Sequence, residues 1–263
     1  MNNELMYDQF SDDYDRFVNW EERLKYEIPF LSSEMDSLKK GTNQSVSILD
    51  AACGTGHHVI ALKNHGFDVA GADISAKMVE IAQRNTHAAG FDIPFKKAGF
   101  GQLAESYGTE MFDGLLCLGN SLPHIIEDEA LSSSLADFKT VLRPNGKLII
   151  QNRNFDNVLK TSNRWMDPQT FREGSKTWIF TRFYDFDPDG MITFNILILS
   201  SKEAEPFKQS VISTRLRPQR MTELTKILKK SGFVDIQLYG DLHGSAFNVD
   251  KSGNLVITAR AAN

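Results

Sequence analysis

The residues with the clearest chemical potential lie in one short run of the chain, I-L-D-A-A-C-G-T-G-H-H. This run begins with apolar residues, reaches the carboxylate of Asp50 and then turns through Gly54 and Gly56. Glycine accepts the backbone of a tight turn and lets backbone N–H groups approach a ligand with no Cβ in the way. The spacing of Val59 and Leu62 predicts a helix after the turn, and its free N–H groups favour polar or anionic ligand groups. The pattern therefore predicts the first strand-turn-helix unit of a nucleotide-binding α/β fold.

A second carboxylate follows at the end of the next apolar segment, V-A-G-A-D, where Asp73 stands. Folds of this type place an acid there, against the hydroxyl groups of a ribose. The full dinucleotide pattern requires a third glycine, but Val59 occupies that position, which speaks against a nicotinamide dinucleotide. Together the two motifs predict a ligand that contains a nucleoside.

Further polar residues are predicted at the ends of two later strands. The apolar run over 113–118 ends in G-N-S-L-P-H, which contains Asn120 and His124, and the run over 147–150 ends in Q-N-R-N, which contains Arg153. Ligands of open α/β sheets bind beyond the carboxyl ends of the strands. We therefore expect these three side chains at one sheet edge, where the arginine faces either an anion or a neighbouring acid.

The elements that must position these residues alternate between apolar strands and amphipathic helices, which predicts a largely parallel sheet. A helix over 76–89 has Ser75 as its N-cap, and a second helix spans 129–142. From about residue 161 the pattern changes to alternating strands with a D-P-D-G turn, which predicts an inserted antiparallel meander. The predicted parts are an N-terminal helical lid (1–45), a ligand-binding core (46–160), an inserted β-rich substrate cover (161–218), and the last helix and edge strands (219–263).

The N-terminal part carries aromatic residues at helical spacing, with Tyr7, Phe10, Tyr14 and Phe17 on one face. An apolar face of this kind either packs into the interior or closes over a ligand. The spacing alone leaves both interpretations open.

Composition restricts the class of protein. The 263 residues, 41% of them hydrophobic, suffice for one large core. A formal net charge of -5 with no basic run argues against nucleic acid as a partner and favours a small molecule. Cys53 and Cys117 form no metal-ligand pattern, and no signal peptide or membrane-spanning run is recognisable, so we expect a metal-free cytoplasmic protein away from membranes. The pattern does not decide whether the chain forms a homo-oligomer.

The motifs as a set resemble a known family. L-D-A-A-C-G-T-G and V-A-G-A-D-I-S resemble the first two motifs of the class I S-adenosylmethionine-dependent methyltransferases. The pair L-G-N-S-x-x-H and N-R-N-F-D resembles the glycine N-methyltransferase and glycine/sarcosine N-methyltransferase family, specifically over 46–159. The resemblance implies a Rossmann-like seven-stranded class I sheet with an N-terminal helical lid and an inserted antiparallel β meander. It also implies S-adenosyl-L-methionine as cofactor.

The resemblance assigns cofactor contacts. It implies that Asp50 fixes the loop near the methionine amino group and that Asp73 holds the ribose. Y-D-Q-F-S-D-D-Y-D ahead of the glycine motif resembles the family segment in which a tyrosine, here Tyr7, and a later arginine, here Arg23, reach the methionine part. Arg23 could instead pair with Glu22 or Glu27. The other predicted contacts are Ala52, Gly54, Gly56, Ile74, Leu118, and the backbone near Gly99 and Phe100, which replaces the usual adenine-binding acid.

The resemblance also assigns acceptor contacts. It implies that Arg153 holds a carboxylate while Asn120 and His124 lie around an amine, with Tyr14 as a further contact. His124 is either the base that takes the amine proton or a structural residue. Arg217 stands where aromatic residues are expected in the glycine enzymes, which predicts a larger or more acidic substrate than glycine.

The expected function is therefore transfer of a methyl group to the amine of a small carboxylate-bearing substrate such as glycine or sarcosine, by in-line displacement. A methyltransferase with another nitrogen or oxygen acceptor is the first alternative. A nicotinamide-dependent oxidoreductase and a cofactor-binding protein without catalysis are the others.

Overall fold

The computed structural model of the protein describes residues 3–39, 45–203 and 205–263. Within these residues the apolar segments form two sheets. The strands of the larger sheet are β1 (Ser47–Asp50), β2 (Asp68–Asp73), β3 (Phe95–Lys97), β4 (Phe112–Cys117), β5 (Leu142–Arg153), β10 (Phe233–Tyr239) and β11 (Asn254–Ala261). The strands of the smaller sheet are β6 (Gln169–Glu173), β7 (Lys176–Phe186), β8 (Ile192–Lys202) and β9 (Lys208–Leu216).

Helices surround the larger sheet, and the described residues also include one short 3₁₀ turn over Leu122–His124. The helices are α1 (Asn3–Phe17), α2 (Trp20–Asp36), α3 (His57–Asn64), α4 (Ala76–Ala88), α5 (Leu103–Tyr107), α6 (Asp128–Val141), α7 (Phe155–Thr161) and α8 (Met221–Lys230).

The larger sheet has the strand order β10-β11-β5-β4-β1-β2-β3. Strands β1 to β5 pair in parallel, whereas β11 lies antiparallel to both β5 and β10. The order reverses between β1 and β4, which is the point where such sheets bind ligands. The smaller sheet is the predicted meander, with its four strands in sequential antiparallel order.

The fifth strand is longer than the predicted 147–150. It runs over 142–153 because residues 147–153 pair continuously with β11, and Leu142 pairs with Phe112 before an irregularity at the R-P-N-G turn. The extension makes Arg153 the last residue of the strand. The arginine is therefore held by a paired backbone rather than by a loop.

The core lies on both faces of the larger sheet because successive strand residues point to opposite sides. Leu49 belongs to the cluster that includes Leu135 of α6 and Leu224 of α8, whereas the adjacent Ile48 belongs to the cluster that includes Met35 of α2 and Leu62 of α3. Helices thus cover both faces of these strands.

The N-terminal helix packs on the smaller sheet. Phe10 of α1 is buried with Trp178 and Phe180 of β7, and Tyr7 and Tyr14 lie beside this cluster. Asp15 ties the same helix to the glycine turn, because its carboxylate accepts a hydrogen bond from the Thr55 hydroxyl at 2.6 Å. Helix α1 therefore bridges the inserted sheet and the glycine turn.

Some features are absent from the described ranges. No helix there combines the length and apolar character needed to cross a membrane. No group of three or more His, Cys, Asp or Glu side chains there is arranged to hold a metal ion. Cys53 and Cys117 are both buried and unpaired.

Candidate active site

A cavity of about 370 Å³ opens at the carboxyl ends of β1, β2 and β4. Of the predicted cofactor contacts, seven line it: Tyr7, Ala52, Gly54, Asp73, Ile74, Gly99 and Phe100. Asp50, Gly56, Arg23 and Leu118 do not line it. Its other lining residues are Tyr14, Ala51, Met78, Ala98, Gln102, Gly119, Ser121, His124 and Ile125.

The two glycines of the turn have different roles. Gly54 has a φ of 52° and lines the cavity, and a Cβ placed on it would lie 3.4 Å from the Tyr14 ring. Gly56 has a φ of 84°, and a Cβ there would lie 3.1 Å from the Cβ of Ala82 in α4. Gly54 therefore allows close approach to the cavity, whereas Gly56 allows α3 to pack closely against α4.

Asp73 joins the glycine turn to the start of α4. One carboxylate oxygen accepts the Gly54 N–H at 2.9 Å and the other accepts the Ser75 N–H at 2.9 Å. Burial raises the pKa of Asp73 to about 6, although both N–H groups act in the opposite direction. Each carboxylate oxygen accepts more than one hydrogen bond, so Asp73 can also bind ribose hydroxyls in the cavity.

Asp50 supports the loop from behind the cavity. Its carboxylate is only 2% exposed and accepts the Ala52 N–H at 3.4 Å. Burial raises the pKa of Asp50 to about 7; the Ala52 N–H lowers it and the charge of Asp73 raises it further. Asp50 thus acts on the cavity through the backbone of Ala52.

This raised pKa has a consequence for stability. A carboxyl group that binds its proton more tightly in the folded state stabilises the fold below its unfolded pKa of about 3.9. That contribution is lost as the pH rises to about 7. We expect the free energy of unfolding of the cofactor-free protein to fall between about pH 4 and pH 7. Asp50 contributes a slope of at most about 1.36 kcal/mol per pH unit to this fall.

The variant Asp50→Asn keeps an oxygen for the Ala52 N–H but does not titrate. Urea unfolding of both proteins at several pH values between about 4 and 7 measures the difference. We expect a shallower decline for the variant, and parallel curves for the two proteins would contradict the raised pKa.

Gln102 occupies the end of the cavity predicted for adenine. Its side-chain oxygen accepts the Gly99 N–H at 3.0 Å, so this backbone donor is already engaged. Phe100 lines the cavity and also packs edge-to-face on Phe138, with ring centroids 5.3 Å apart. Gln102 was not among the residues predicted to contact the cofactor, although it follows directly in A-G-F-G-Q-L.

A second cavity, of about 390 Å³, adjoins the first. Both cavities are lined by Tyr7, Tyr14, Gly119 and His124, which therefore mark where they meet. The second cavity is also lined by Met6, Phe10, Phe17, Val18, Asn19, Arg23, Glu27, Asn120, Gln151, Arg153, Met166, Gln169, Arg182, Tyr184, Phe194, Ile196 and Asn254.

Tyr7 and His124 form a neutral pair at this junction. The Tyr7 hydroxyl lies 2.8 Å from His124 Nε2, and the rings pack edge-to-face. Burial lowers the pKa of His124 to about 4 and raises the pKa of Tyr7 above its usual range. Both side chains are therefore uncharged near pH 7.

Asn120 positions the end of β5. Its side-chain oxygen accepts the Arg153 N–H at 2.8 Å, and its own N–H donates to the Gln151 carbonyl at 3.1 Å. The residue has a φ of 63°, a conformation that asparagine tolerates better than most residues. Asn120 lines the second cavity with its oxygen already used by the backbone.

The Arg153 guanidinium has no carboxylate partner among the described residues, and its buried Nε has no hydrogen-bond partner there. Asp156 and Glu173, two acids that could have paired with Arg153, are engaged elsewhere. Asp156 pairs with Arg220 at 2.7 Å, and Glu173 lies 3.7 Å from Arg16. Arg153 therefore presents a charge to the second cavity without an internal counterion.

Arg23 has an internal counterion. Its Nε lies 3.1 Å from both carboxylate oxygens of Glu27, which also contacts His58 Nε2 at 2.6 Å. This is the alternative pairing considered from the sequence. Arg23 lines the second cavity and not the first. Its position therefore does not support the predicted contact with the methionine part of the cofactor.

The prediction that Arg217 lies near the substrate is wrong. Arg217 forms ion pairs with Asp128 and Glu223 and lines neither cavity. A different arginine, Arg182 of β7, lines the second cavity. Arg182 was not among the predicted site residues, and its only signal in the sequence is a single arginine within the apolar strand W-I-F-T-R-F-Y.

The comparisons with known proteins agree with this geometry. Residues 48–146 match a family model described as a methyltransferase domain. An S-adenosylmethionine-dependent methyltransferase structure from Clostridium acetobutylicum superposes with a TM-score of 0.75 at 16% identity, covering 98% of this chain and 99% of that chain. The fold is therefore that of the class I S-adenosylmethionine-dependent methyltransferases.

Relatives specify the family further. The glycine/sarcosine N-methyltransferase of Aphanothece halophytica is 31% identical over 241 residues, which cover 88% of this chain and 81% of the relative. The enzyme of the same name from Halorhodospira halochloris is 29% identical over 243 residues, which cover 92% of this chain and 84% of the relative. The chain belongs to the methyltransferase family that includes these glycine/sarcosine N-methyltransferases.

The lining of the first cavity is compatible with S-adenosylmethionine, the cofactor of this class. Asp73 would offer a carboxylate to the ribose, and Ile74, Met78 and Phe100 would offer apolar surface to the adenine. The missing Cβ at Gly54 leaves room beside the turn for the methionine part. When bound, the cofactor supplies an electrophilic methyl group on a sulfonium.

Proposed function

We propose that the protein methylates the amine of a small carboxylate-bearing substrate. The observation that supports this most strongly is Arg153, whose charge has no internal counterion and faces a cavity that meets the cofactor cavity at Tyr7 and His124. A guanidinium pairs with a carboxylate through two parallel hydrogen bonds, which fixes orientation as well as position. A substrate held in this way places its amine at the junction.

Positioning is the main contribution of the protein to this reaction. Holding two reactants in line supplies about 7–11 kcal/mol of barrier reduction. Asn120 holds the backbone of Arg153, and β11 pairs with the same residue, so the carboxylate site is rigid. An Asn120→Ala change would act through Arg153 rather than on the amine directly.

The second cavity also favours the neutral form of the amine. Its lining arginines disfavour an ammonium ion, and Glu27, the one carboxylate among its described lining residues, is engaged by Arg23 and His58. A neutral amine has the free lone pair that attack on the methyl group requires.

We propose that His124 is a neutral partner of Tyr7 rather than the base. A histidine whose pKa is about 4 binds a proton far more weakly than an aliphatic amine. The logarithm of kcat/KM should therefore rise with pH until the acceptor amine is deprotonated. His124→Gln should lower the rate but preserve the shape of this profile, and loss of the acid limb in the variant would restore His124 as the base.

The inserted sheet contributes to the acceptor site. Gln169, Arg182, Tyr184, Phe194 and Ile196 all come from β6, β7 and β8 and line the second cavity. We propose that residues 161–218 act as the substrate cover, since they supply walls to this cavity and not to the first.

The experiment that tests the function combines binding and turnover on one sample. Calorimetry with S-adenosylmethionine and S-adenosylhomocysteine measures the cofactor site, and a methylation screen then includes glycine, sarcosine, dimethylglycine and acidic amino acids. Turnover of a carboxylate-bearing amine supports the proposal. Cofactor binding with turnover only of acceptors that lack a carboxylate would refute it.

A further inference from the structure

Arg182 lines the second cavity together with Arg153. It is a partly buried residue of β7, and its guanidinium carbon lies 4.8 Å from the centroid of the Phe17 ring. Its buried Nε has no hydrogen-bond partner, and no acid within the described residues forms an ion pair with it. Asp167, an acid close enough to affect its charge, is itself exposed and forms no such pair.

The charges lining the second cavity do not balance. Three arginines line it, namely Arg23, Arg153 and Arg182, and Glu27 is the one carboxylate among the described lining residues. Glu27 neutralises Arg23. Burial lowers the pKa of Arg182, and the nearby positive charge of Arg153 lowers it further. Two neighbouring positive charges therefore remain without an internal counterion.

We propose that the natural acceptor carries two carboxylates, one bound by Arg153 and the second by Arg182. This inference rests on the proposed function and narrows its substrate to an amino dicarboxylate. Leaving a charge unpaired in a desolvated site is costly, and a second carboxylate removes that cost at Arg182. The cavity volume of about 390 Å³ also exceeds what glycine, the smallest amino acid, would fill.

The two arginines come from different parts of the fold. Arg153 ends a strand of the larger sheet, whereas Arg182 lies on the inserted sheet. A ligand that engages both would bridge the two sheets. The acceptor's amine would then lie toward the junction at His124, with the second carboxylate directed toward β7.

The variant Arg182→Met tests the inference, because methionine keeps an apolar stem near Phe17 and removes the charge. The exposed Arg172 lies on β6 of the same sheet, so Arg172→Met is the matched control. Calorimetry in the presence of S-adenosylhomocysteine would measure binding of aspartate, glutamate and succinate against glycine and sarcosine. The kcat/KM values for the same amines provide a second readout.

We expect the wild-type protein to prefer the dicarboxylates. Arg182→Met should reduce the ratio of dicarboxylate to monocarboxylate affinity by about 30-fold or more, which corresponds to about 2 kcal/mol. Arg172→Met should leave this ratio unchanged. Equal loss for both ligand classes would mean that the arginines share one carboxylate, which would overturn the inference.

Two further outcomes separate this inference from the proposed function. Turnover of glycine or sarcosine with no preferential binding of dicarboxylates would support the function and overturn the second carboxylate site. Binding of succinate that depends on Arg182, without methylation of any carboxylate-bearing amine, would support the two-carboxylate site and overturn the function.

Discussion

Replacing Arg153 by alanine is expected to raise the KM for a carboxylate-bearing acceptor by about 30-fold or more. Loss of one partner from a buried charge pair costs about 2–5 kcal/mol, and about 1.4 kcal/mol corresponds to a factor of ten. The variant keeps the backbone N–H of residue 153, which donates to the side-chain oxygen of Asn120. The loop after β4, which contains Asn120, should therefore stay in place. Steady-state kinetics with the acceptor found in the methylation screen measures this effect.

Cofactor affinity separates a carboxylate clamp from a general loss of structure. Arg153 lines the second cavity and not the first, so calorimetry should find the affinity for S-adenosylmethionine nearly unchanged. Arg220→Ala is the matched control, because Arg220 is largely exposed and lines neither cavity. If Arg153→Ala weakened cofactor and acceptor by the same factor, the clamp assignment would be wrong.

Replacing Asp73 by alanine is expected to weaken S-adenosylmethionine binding by about 10- to 100-fold. Hydrogen bonds to a charged group contribute about 1.5–3 kcal/mol, and the variant loses those predicted to the ribose. It also leaves the N–H groups of Gly54 and Ser75 without their acceptor, which loosens the glycine turn. Calorimetry with S-adenosylmethionine gives the change directly.

Two further variants separate ribose binding from loop support. Asp73→Asn keeps the shape and one acceptor oxygen but removes the charge, so it should bind more tightly than Asp73→Ala and less tightly than wild type. Asp68→Ala changes an exposed acid at the opposite end of β2 and should bind as wild type. If Asp73→Ala bound S-adenosylmethionine with wild-type affinity and unfolded normally on heating, Asp73 would not be a cofactor-binding residue.

Local structure around the glycine motif could be predicted closely. The helix predicted after the glycine turn is present as α3, and Ser75 caps α4 by accepting the Met78 N–H at 3.1 Å. The predicted edge strands are also present, as the antiparallel pair β10 and β11. These features depend on residue spacing and on capping within a few positions, which the sequence displays directly.

Charge pairing could not be predicted in the same way. The sequence indicated that Arg217 lies near the substrate, but its partners Asp128 and Glu223 come from α6 and α8. Arg182 looked like one residue of an apolar strand, yet it lines the acceptor cavity. Whether an arginine meets an acid or a cavity depends on elements far apart in sequence.

The class of fold and the edge of the sheet where the site lies follow from hydrophobic periodicity and from short motifs, each contained within one strand-turn-helix unit. The cofactor follows from the resemblance of two of these motifs to a known family. Which polar groups are satisfied internally and which remain for a ligand depends on how distant segments pack in three dimensions. Glu27 neutralises Arg23, whereas no described acid forms an ion pair with Arg153 or Arg182, because ion pairing depends on distance in space and not on separation in sequence.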